Sequence, residues 1–312
     1  MDGNPISLAR AAERISSKSL RDSTERIIEF YEHAGLDYEH WSSGFNMHLG
    51  FYRRGMNPFD REAMLEQMNL EVARRLYLDA DKECMLIDLG CGMGSIARTV
   101  ARHYSRSLIK GITLSPSQVR IASELNAEAG LADRIGIMRG DYVRLPIAGR
   151  SADGLWAVES ACYARGADKD DLISEMARVL KTGGRFVVAD CFVHCHDREF
   201  NRVIARCYRT ACDGWALTEM PAIEAFVHAL QRHGFRDIIV ENISWRVAPS
   251  LAHAPLTVLT FVIKKFLAGE PFNRHSINNL KASLLALMLG LNRSKFSYCL
   301  ISGTFEDPTN NG

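Results

Sequence analysis

Several familiar signals are missing from this 312-residue sequence. Its eight cysteines, at 84, 91, 162, 191, 195, 207, 212 and 299, include no CxxC pair. That argues against a disulfide framework and the common zinc spacings, and for reduced, buried thiols. The formal net charge is only +1, so there is no electrostatic footprint for nucleic acid. The first residues, "MDGNPISLARAAERISS", have no apolar centre, so no signal peptide is read there. The longest apolar run, Ala254 to Ile263, stops at Lys264 and Lys265; roughly 20 residues are needed to span a bilayer. The expectation is a cytoplasmic protein with no transmembrane segment. No internal repeat, Gly-Lys-Ser/Thr phosphate loop or acidic DDxxD cluster for a magnesium-bound diphosphate is present.

What is present suits a packed enzyme. Hydrophobic residues make up 47% and charged residues 24%, ample for a core and against disorder. "STERIIEFYEHAG" has helical spacing with Gly35 as a stop, and "DREAMLEQMNLEVARRLYL" puts Met64, Leu65, Met68, Val72 and Leu76 on one helical face. Between them lies an aromatic-rich segment of neither period. From residue 84, short apolar runs alternate with amphipathic stretches. Strands are expected at "CMLIDL", "SLIKGITL", "RIGIMRG", "DGLWAVE", "RFVVADCF", "RDIIVENI" and "KFSYCLISGTF". Helices are expected near 94–104, 116–129, 168–180 and 221–233, with another around 198–212. Such alternation implies a doubly wound, mostly parallel seven-stranded α/β sheet, with ligands at the carboxyl ends of its strands.

Four regions follow: an N-terminal helical arm and aromatic cap at 1–80, a core at 81–245, an apolar helical insertion at 246–295, and a last strand and tail at 296–312. In the insertion, Ile277, Leu280, Leu284, Met288 and Leu291 share a helical stripe. Ordinary packing onto the core accounts for much of it; the alternative is a lid formed with the aromatic N-terminal segment, 1–60 and 246–295 closing over a substrate from two sides. Mobile arms of this kind suit a homo-oligomer with exchanged N-termini. The run "CFVHCH", Cys191 to His196, lacks a second ligand cluster and is read as a strand end entering a loop, with no metal.

The decisive stretch is "MLIDLGCGMGSIARTV", residues 85–100. Gly90, Gly92 and Gly94 give GxGxG; the dinucleotide fingerprint would need glycine where Ser95 stands. "LIDLGCGMG" resembles the first motif of the class I S-adenosylmethionine-dependent methyltransferases, whose loop backbone wraps the methionine part of the cofactor. "GITLSPSQ" then lies at the end of the second strand, "RGDYVRLP" follows the third, and "LKTGGRFVVAD" matches the helix-turn-strand after the fourth. The second strand ends without the carboxylate that many members use for the ribose. The chain is similar there to the subset in which a hydroxyl and an amide serve, here Thr113 and Gln118. Asp141 matches the residue near the adenine amino group. The resemblance implies S-adenosylmethionine as cofactor, held by Tyr52, Asp88, Gly90, Cys91, Gly92, Gly94, Thr113, Leu114, Gln118, Asp141, Tyr142 and Glu159.

"NMHLGFY", "VESACY" and "KASLLALMLGLNRSKFSYCLISGTF" further resemble the sterol, tocopherol and prenyl-chain methyltransferases. This implies carbon methylation of a hydrophobic, isoprenoid-containing small molecule, with cyclisation or rearrangement open. Methyl transfer to an alkene carbon leaves a carbocation, which needs aromatic faces and a base. Trp41, Phe45, Phe51, Tyr52 and Tyr163 supply the first; Glu159, at a strand's carboxyl end, supplies a carboxylate. Glu159, Tyr163 and His48 are the catalytic candidates. For Glu159 a contact to cofactor or helix end without proton transfer is an equal alternative; for Tyr163 and His48 the alternative is packing or hydrogen bonding in the lid. Methylation of oxygen or nitrogen, with His48, His194 or Glu159 as base, competes with the carbon reading, as does a non-catalytic cofactor-binding assembly factor.

Overall fold

The computed structural model of the protein describes residues 23–194 and 200–307. The N-terminal arm before residue 23, and Cys195 and His196 of the "CFVHCH" run, lie outside the described residues.

Seven strands form one sheet in the order β3-β2-β1-β4-β5-β7-β6. They are β1 Cys84–Leu89, β2 Ser107–Thr113, β3 Ile135–Arg139, β4 Ala152–Val158, β5 Leu180–Val193, β6 Phe235–Asn242 and β7 Phe296–Phe305. The first five run parallel, whereas β7 lies antiparallel between β5 and β6. Both faces of the central sheet are covered, which is why β1, β4 and β7 are buried along nearly their whole length rather than alternating, while the edge strands β3 and β6 are more exposed. Ile87, Leu89, Leu155, Ala157, Phe186 and Val188 pack on one face. Leu86, Trp156, Val187 and Ala189 pack on the other, as the period of two requires. A fully buried phenylalanine such as Phe186 contributes roughly 2–3 kcal/mol relative to exposure.

The helices are α1 over 23–34, α2 Arg61–Arg75, α3 Ser95–His103, α4 Pro116–Glu128, α5 Asp170–Val179, α6 Arg202–Gly214, α7 Ile223–Arg232, α8 Ser244–Leu251, α9 Ala254–Ala268 and α10 Arg274–Leu291. The Asp60 carboxylate accepts from the Ala63 amide and caps α2, whose expected stripe, Met64 to Leu76, is fully buried. α2, α3 and α8 cover one sheet face, while α5 and α7 cover the other. Above the carboxyl end of β5 and the amino end of β7, α6 crosses α10 closely: a Cβ on Gly214 would stand 2.6 Å from the Asn278 carbonyl oxygen.

Two expectations are corrected here. Of the stripe Ile277, Leu280, Leu284, Met288 and Leu291, only Leu280 is half-buried, where it lines a cavity; the other four side chains are exposed, and α10 buries Ser276, Asn279, Ala282 and Leu289 instead. Small inward residues allow the close crossing with α6, leaving the large ones outside. The apolar stretch is also longer than the uninterrupted run suggested. Ser244–Ala268 is apolar enough, by length and composition, to cross a membrane, and only 11% of its apolar window is buried in the protein.

Candidate active site

The glycine-rich loop is a tight turn between β1 and α3. The amides of Gly90 and Cys91 donate to the Ile112 carbonyl at the end of β2, at 3.0 and 2.9 Å. Gly90, Gly92 and Gly94 take φ of 78°, 51° and 75°, the left-handed region that costs side-chain-bearing residues energy. A Cβ on Gly90 would stand 2.4 Å from the Cβ of Ser160, and one on Gly92 would stand 3.0 Å from the Met47 sulfur.

Beside this loop is a narrow cleft of about 100 Å³, walled by Gly90, Gly92, Thr113, Leu114, Gln118, Asp141, Tyr142 and Glu159, and covered by Ile27 and Tyr31 of α1 together with Met47. The Thr113 hydroxyl donates to the Gln118 amide oxygen at 2.6 Å. Asp141 accepts from the Val143 amide at 3.1 Å, forming an Asx-type turn after β3. Tyr142 donates to the Ser160 carbonyl at 2.7 Å. Glu32, on α1, accepts from the hydroxyls of Ser115 and Ser117 and from the Ser117 amide. Desolvation works against its charge, but these bonds at the start of α4 hold its carboxyl below the ordinary range. Thus α1 is fastened over the cleft at the strand end that lacks a carboxylate of its own.

A second cavity, of about 420 Å³, opens beyond the first and shares Tyr31, Met47, Glu159 and Tyr163 with it. Its wall is mainly apolar and aromatic: Tyr31, Trp41, Tyr163, Trp215, Phe261, Phe296 and Tyr298 line it, with leucines of α8 and α10. The segment around Trp41 and His48, and the segment from α8 to α10, both contribute to it. Two carboxylates face it, Glu159 and Asp190.

Glu159 follows β4 with a φ of 48°, a strained conformation for a residue with a side chain. Its amide donates to the Ala189 carbonyl at 2.8 Å, which ties the strained residue to β5. Its Oε1 accepts from the Leu49 amide at 2.6 Å and from the Tyr298 hydroxyl at 2.8 Å. Desolvation raises its carboxyl to about 7, with Asp190 adding to the rise and both hydrogen bonds opposing it. Asp190, at the end of β5, accepts from the amides of Cys162 and Cys191 at 3.0 and 2.8 Å. Burial lifts it to about 6. The Tyr31 hydroxyl donates to that of Tyr163 at 2.9 Å, joining α1 to the turn after β4.

The candidate residues therefore occupy different places. Gly90, Gly92, Thr113, Leu114, Gln118, Asp141, Tyr142 and Glu159 meet around the narrow cleft. Cys91 and Gly94 shape the loop behind it. Asp88 is buried beneath the loop, its carboxyl raised to about 8 by desolvation and its Oδ2 without a hydrogen-bond partner. Tyr163 and His48 line the large cavity. His48 Nδ1 meets the Leu49 carbonyl at 3.0 Å, its buried Nε2 has no partner, and burial lowers its basicity. Tyr52 lines neither cavity; its amide donates to the Arg246 carbonyl. Of the aromatics expected around a cation, Phe51 is in the core, and Phe45, Phe51 and Tyr52 line neither cavity, which leaves Trp41 and Tyr163. His194 is exposed and lines neither cavity. Tyr31, Asp190 and Tyr298 were missed. The final strand was legible, but not that its third residue, Tyr298, reaches Glu159.

The cradle fits S-adenosylmethionine. Side chains at Gly90 and Gly92 would fill the loop's concave side, hydroxyl and amide groups stand at the end of β2, and Asp88 leaves an orphaned acceptor under the loop.

Comparison with known proteins agrees with the fold and the loop. Residues 87–188 match the family model described as a methyltransferase domain. The O-methyltransferase resE of Aspergillus sclerotiorum is 30% identical over 73% of this chain and 79% of that protein. The chloroplastic tocopherol O-methyltransferase of Arabidopsis thaliana is 29% identical over 81% of this chain and 74% of that protein. Against the methyltransferase GfsG of Streptomyces halstedii the identity is 33%, but the match spans only 51% of that protein and 47% of this chain. The solved structure of geranyl diphosphate C-methyltransferase from Streptomyces coelicolor superposes with a TM-score of 0.67 at 14% identity, covering 91% of this chain and 98% of that one. With this loop, this strand order and these relatives, the chain belongs to the class I S-adenosylmethionine-dependent methyltransferases.

Proposed function

We propose that the protein transfers a methyl group from S-adenosylmethionine to a carbon atom of a hydrophobic, isoprenoid-containing small molecule. The observation that carries this reading is the position of Glu159, on the wall shared by the cofactor cleft and a large aromatic-lined cavity. Bound in the cleft, S-adenosylmethionine supplies an electrophilic methyl carbon. Gly90 and Gly92 would admit its methionine part, Thr113 and Gln118 would hold the ribose, and Asp141 and Tyr142 would flank the adenine. In the acceptor, the π electrons form the new bond to the methyl carbon as its bond to sulfur breaks, which releases S-adenosylhomocysteine and leaves a cation on the neighbouring carbon. The faces of Tyr163 and Trp41 stabilise that charge, and the apolar wall keeps water from quenching it. Glu159 takes the proton that restores the alkene; its raised carboxyl is matched to proton transfer near neutrality. The setting is a cytoplasmic homo-oligomer acting without nucleic acid.

One observation favours a second reading, methylation of an acceptor oxygen or nitrogen. His48 lines the same cavity, and burial favours its neutral imidazole, the form that takes up a hydroxyl proton. Incubation with methyl-labelled S-adenosylmethionine and geranyl diphosphate, sterols, and prenylated indoles or quinols, followed by NMR location of the label, separates the two. Label on carbon supports the first reading. Label on oxygen or nitrogen replaces it with the second.

A further inference from the structure

The outer side of the helical insertion has no role in the reaction proposed above. On α9, Leu256, Leu259, Ile263, Phe266 and Leu267 are all exposed, the last two at 78%. Their spacing of three to four residues makes one apolar stripe down the helix. On α10 the exposed stripe ends at Leu291, also 78% exposed. Leu291 is at the same time part of the large cavity's wall, so the cavity reaches the surface at this greasy face. Close by, Trp245 is 77% exposed and carries the Arg293 guanidinium 3.2 Å above its ring.

Charge on this unit is one-sided. Between Ser244 and Lys295 there are seven arginines and lysines against a single acid, Glu270. That is a net +6 in a chain whose total is +1. Arg246, Lys264, Arg274 and Lys281 among them are exposed. An apolar helix face edged with basic residues is the pattern of helices that lie in a membrane interface. A second copy of the chain is disfavoured, because self-contact would bring basic residues against basic residues.

Nor is the segment free to cross a bilayer. α8 and α9 are interrupted at Ala252 and His253. The Gly50 amide donates to the Ser250 hydroxyl at 2.8 Å, and Arg61 donates to Thr257 at 2.5 Å. His253 Nε2 meets the Pro58 carbonyl at 2.8 Å, and Phe261 is buried against the body of the protein. One side of the helix is held by the fold while the other is offered outward. We infer that this face docks in plane onto an anionic lipid bilayer, setting the mouth of the acceptor cavity against the lipid. Vesicle binding needs no methyl transfer, so this proposal stands or falls apart from the reaction.

The test is flotation of the full chain with phosphatidylcholine vesicles, with or without about 30 mol % phosphatidylserine. The wild type is expected to float with the anionic vesicles and to be released by salt. Leu259→Glu with Phe266→Glu should reduce binding about tenfold or more, leaving thermal midpoint and S-adenosylmethionine affinity unchanged. Lys264→Ala with Lys281→Ala, changes at exposed side chains, should weaken binding to anionic vesicles by roughly tenfold. Failure to float with either vesicle would overturn the proposal, as would undiminished, wild-type binding by both double variants. It would also fall if Leu259→Glu dissociated an oligomer of a chain that has no vesicle affinity, making this face a contact between copies.

Discussion

Tyr298, on the last strand, donates its hydroxyl to Oε1 of Glu159 across 2.8 Å, joining residues 139 positions apart in the chain. The Leu49 amide donates to the same oxygen. Oε2 has no hydrogen bond among the described residues, so one carboxylate oxygen is held while the other is left to act. This is how a base is aimed without being occupied.

Replacing Glu159 by glutamine keeps the shape and removes the proton acceptor. Turnover should fall by about 10² or more, with S-adenosylmethionine affinity kept within a few-fold. Steady-state kinetics and calorimetry on the same preparation read both. A full rate with an unchanged product would take Glu159 out of the mechanism, and lost cofactor affinity would reassign it to binding.

Tyr298→Phe removes a hydrogen bond that favours the charged carboxylate. The Glu159 carboxyl then rises further, and a smaller fraction is ionised at neutral pH. The ascending limb of the rate against pH, expected near 7 in the wild type, should move to higher pH. Activity lost at pH 7 should largely return about one to two pH units above it. A uniform loss at every pH would mean the tyrosine acts only by packing.

The same carboxyl makes a prediction about stability, and its sign is opposite to that of a salt-bridged acid. Its value rises from 4.5 to about 7 on folding, so between these limits the folded state binds more protons than the unfolded one. Stability therefore falls as pH rises through this window. Relative to Glu159→Gln, the wild type should lose roughly 1–3 kcal/mol between pH 5 and pH 8. Denaturant titrations of both proteins across that range measure the difference. A wild type that gains stability relative to the variant would contradict the desolvated site.

Gly92→Val puts a branched side chain at a φ of 51°, into the cofactor cradle and against Met47. A loss of roughly 1–3 kcal/mol of stability from strain is expected, with S-adenosylmethionine binding abolished. A melting curve shows whether the variant is folded, and calorimetry whether it binds. Undiminished affinity in the folded variant would show that the cofactor's methionine part lies elsewhere.

The core was legible because its signals are local. Apolar runs of strand length, α2's stripe and the GxGxG turn each depend on neighbours in sequence, and Glu159 follows from lying at the end of a legible strand. The missed residues depend on pairing over long distances: Tyr31 reaches Tyr163 from α1, and Tyr298 meets Glu159 only after β7 has entered the sheet. In the irregular segment at 41–60 an aromatic count gives no direction, so Phe51 and Tyr52 were expected in the site while Trp41, Met47, His48 and Leu49 face it. On α10 the period revealed a stripe but not which side it faced. Ser276, Asn279 and Ala282 turn inward because a close helix crossing needs small groups, and that outweighs the larger transfer energy of the leucines.

The place of β7 has a consequence for biosynthesis. Phe296–Phe305 is made after the other six strands of this sheet, yet it enters between β5 and β6. Until it emerges from the ribosome, those two strands present unpaired edges to solvent and to each other's copies. Between the synthesis of β6 and that of β7 the nascent chain is thus in an aggregation-prone form. The acceptor chamber gains Phe296 and Tyr298 only then. A premature stop shortly before residue 296 would yield an insoluble product rather than a weaker enzyme, and holdase chaperones would have most to protect in the interval before β7 is made.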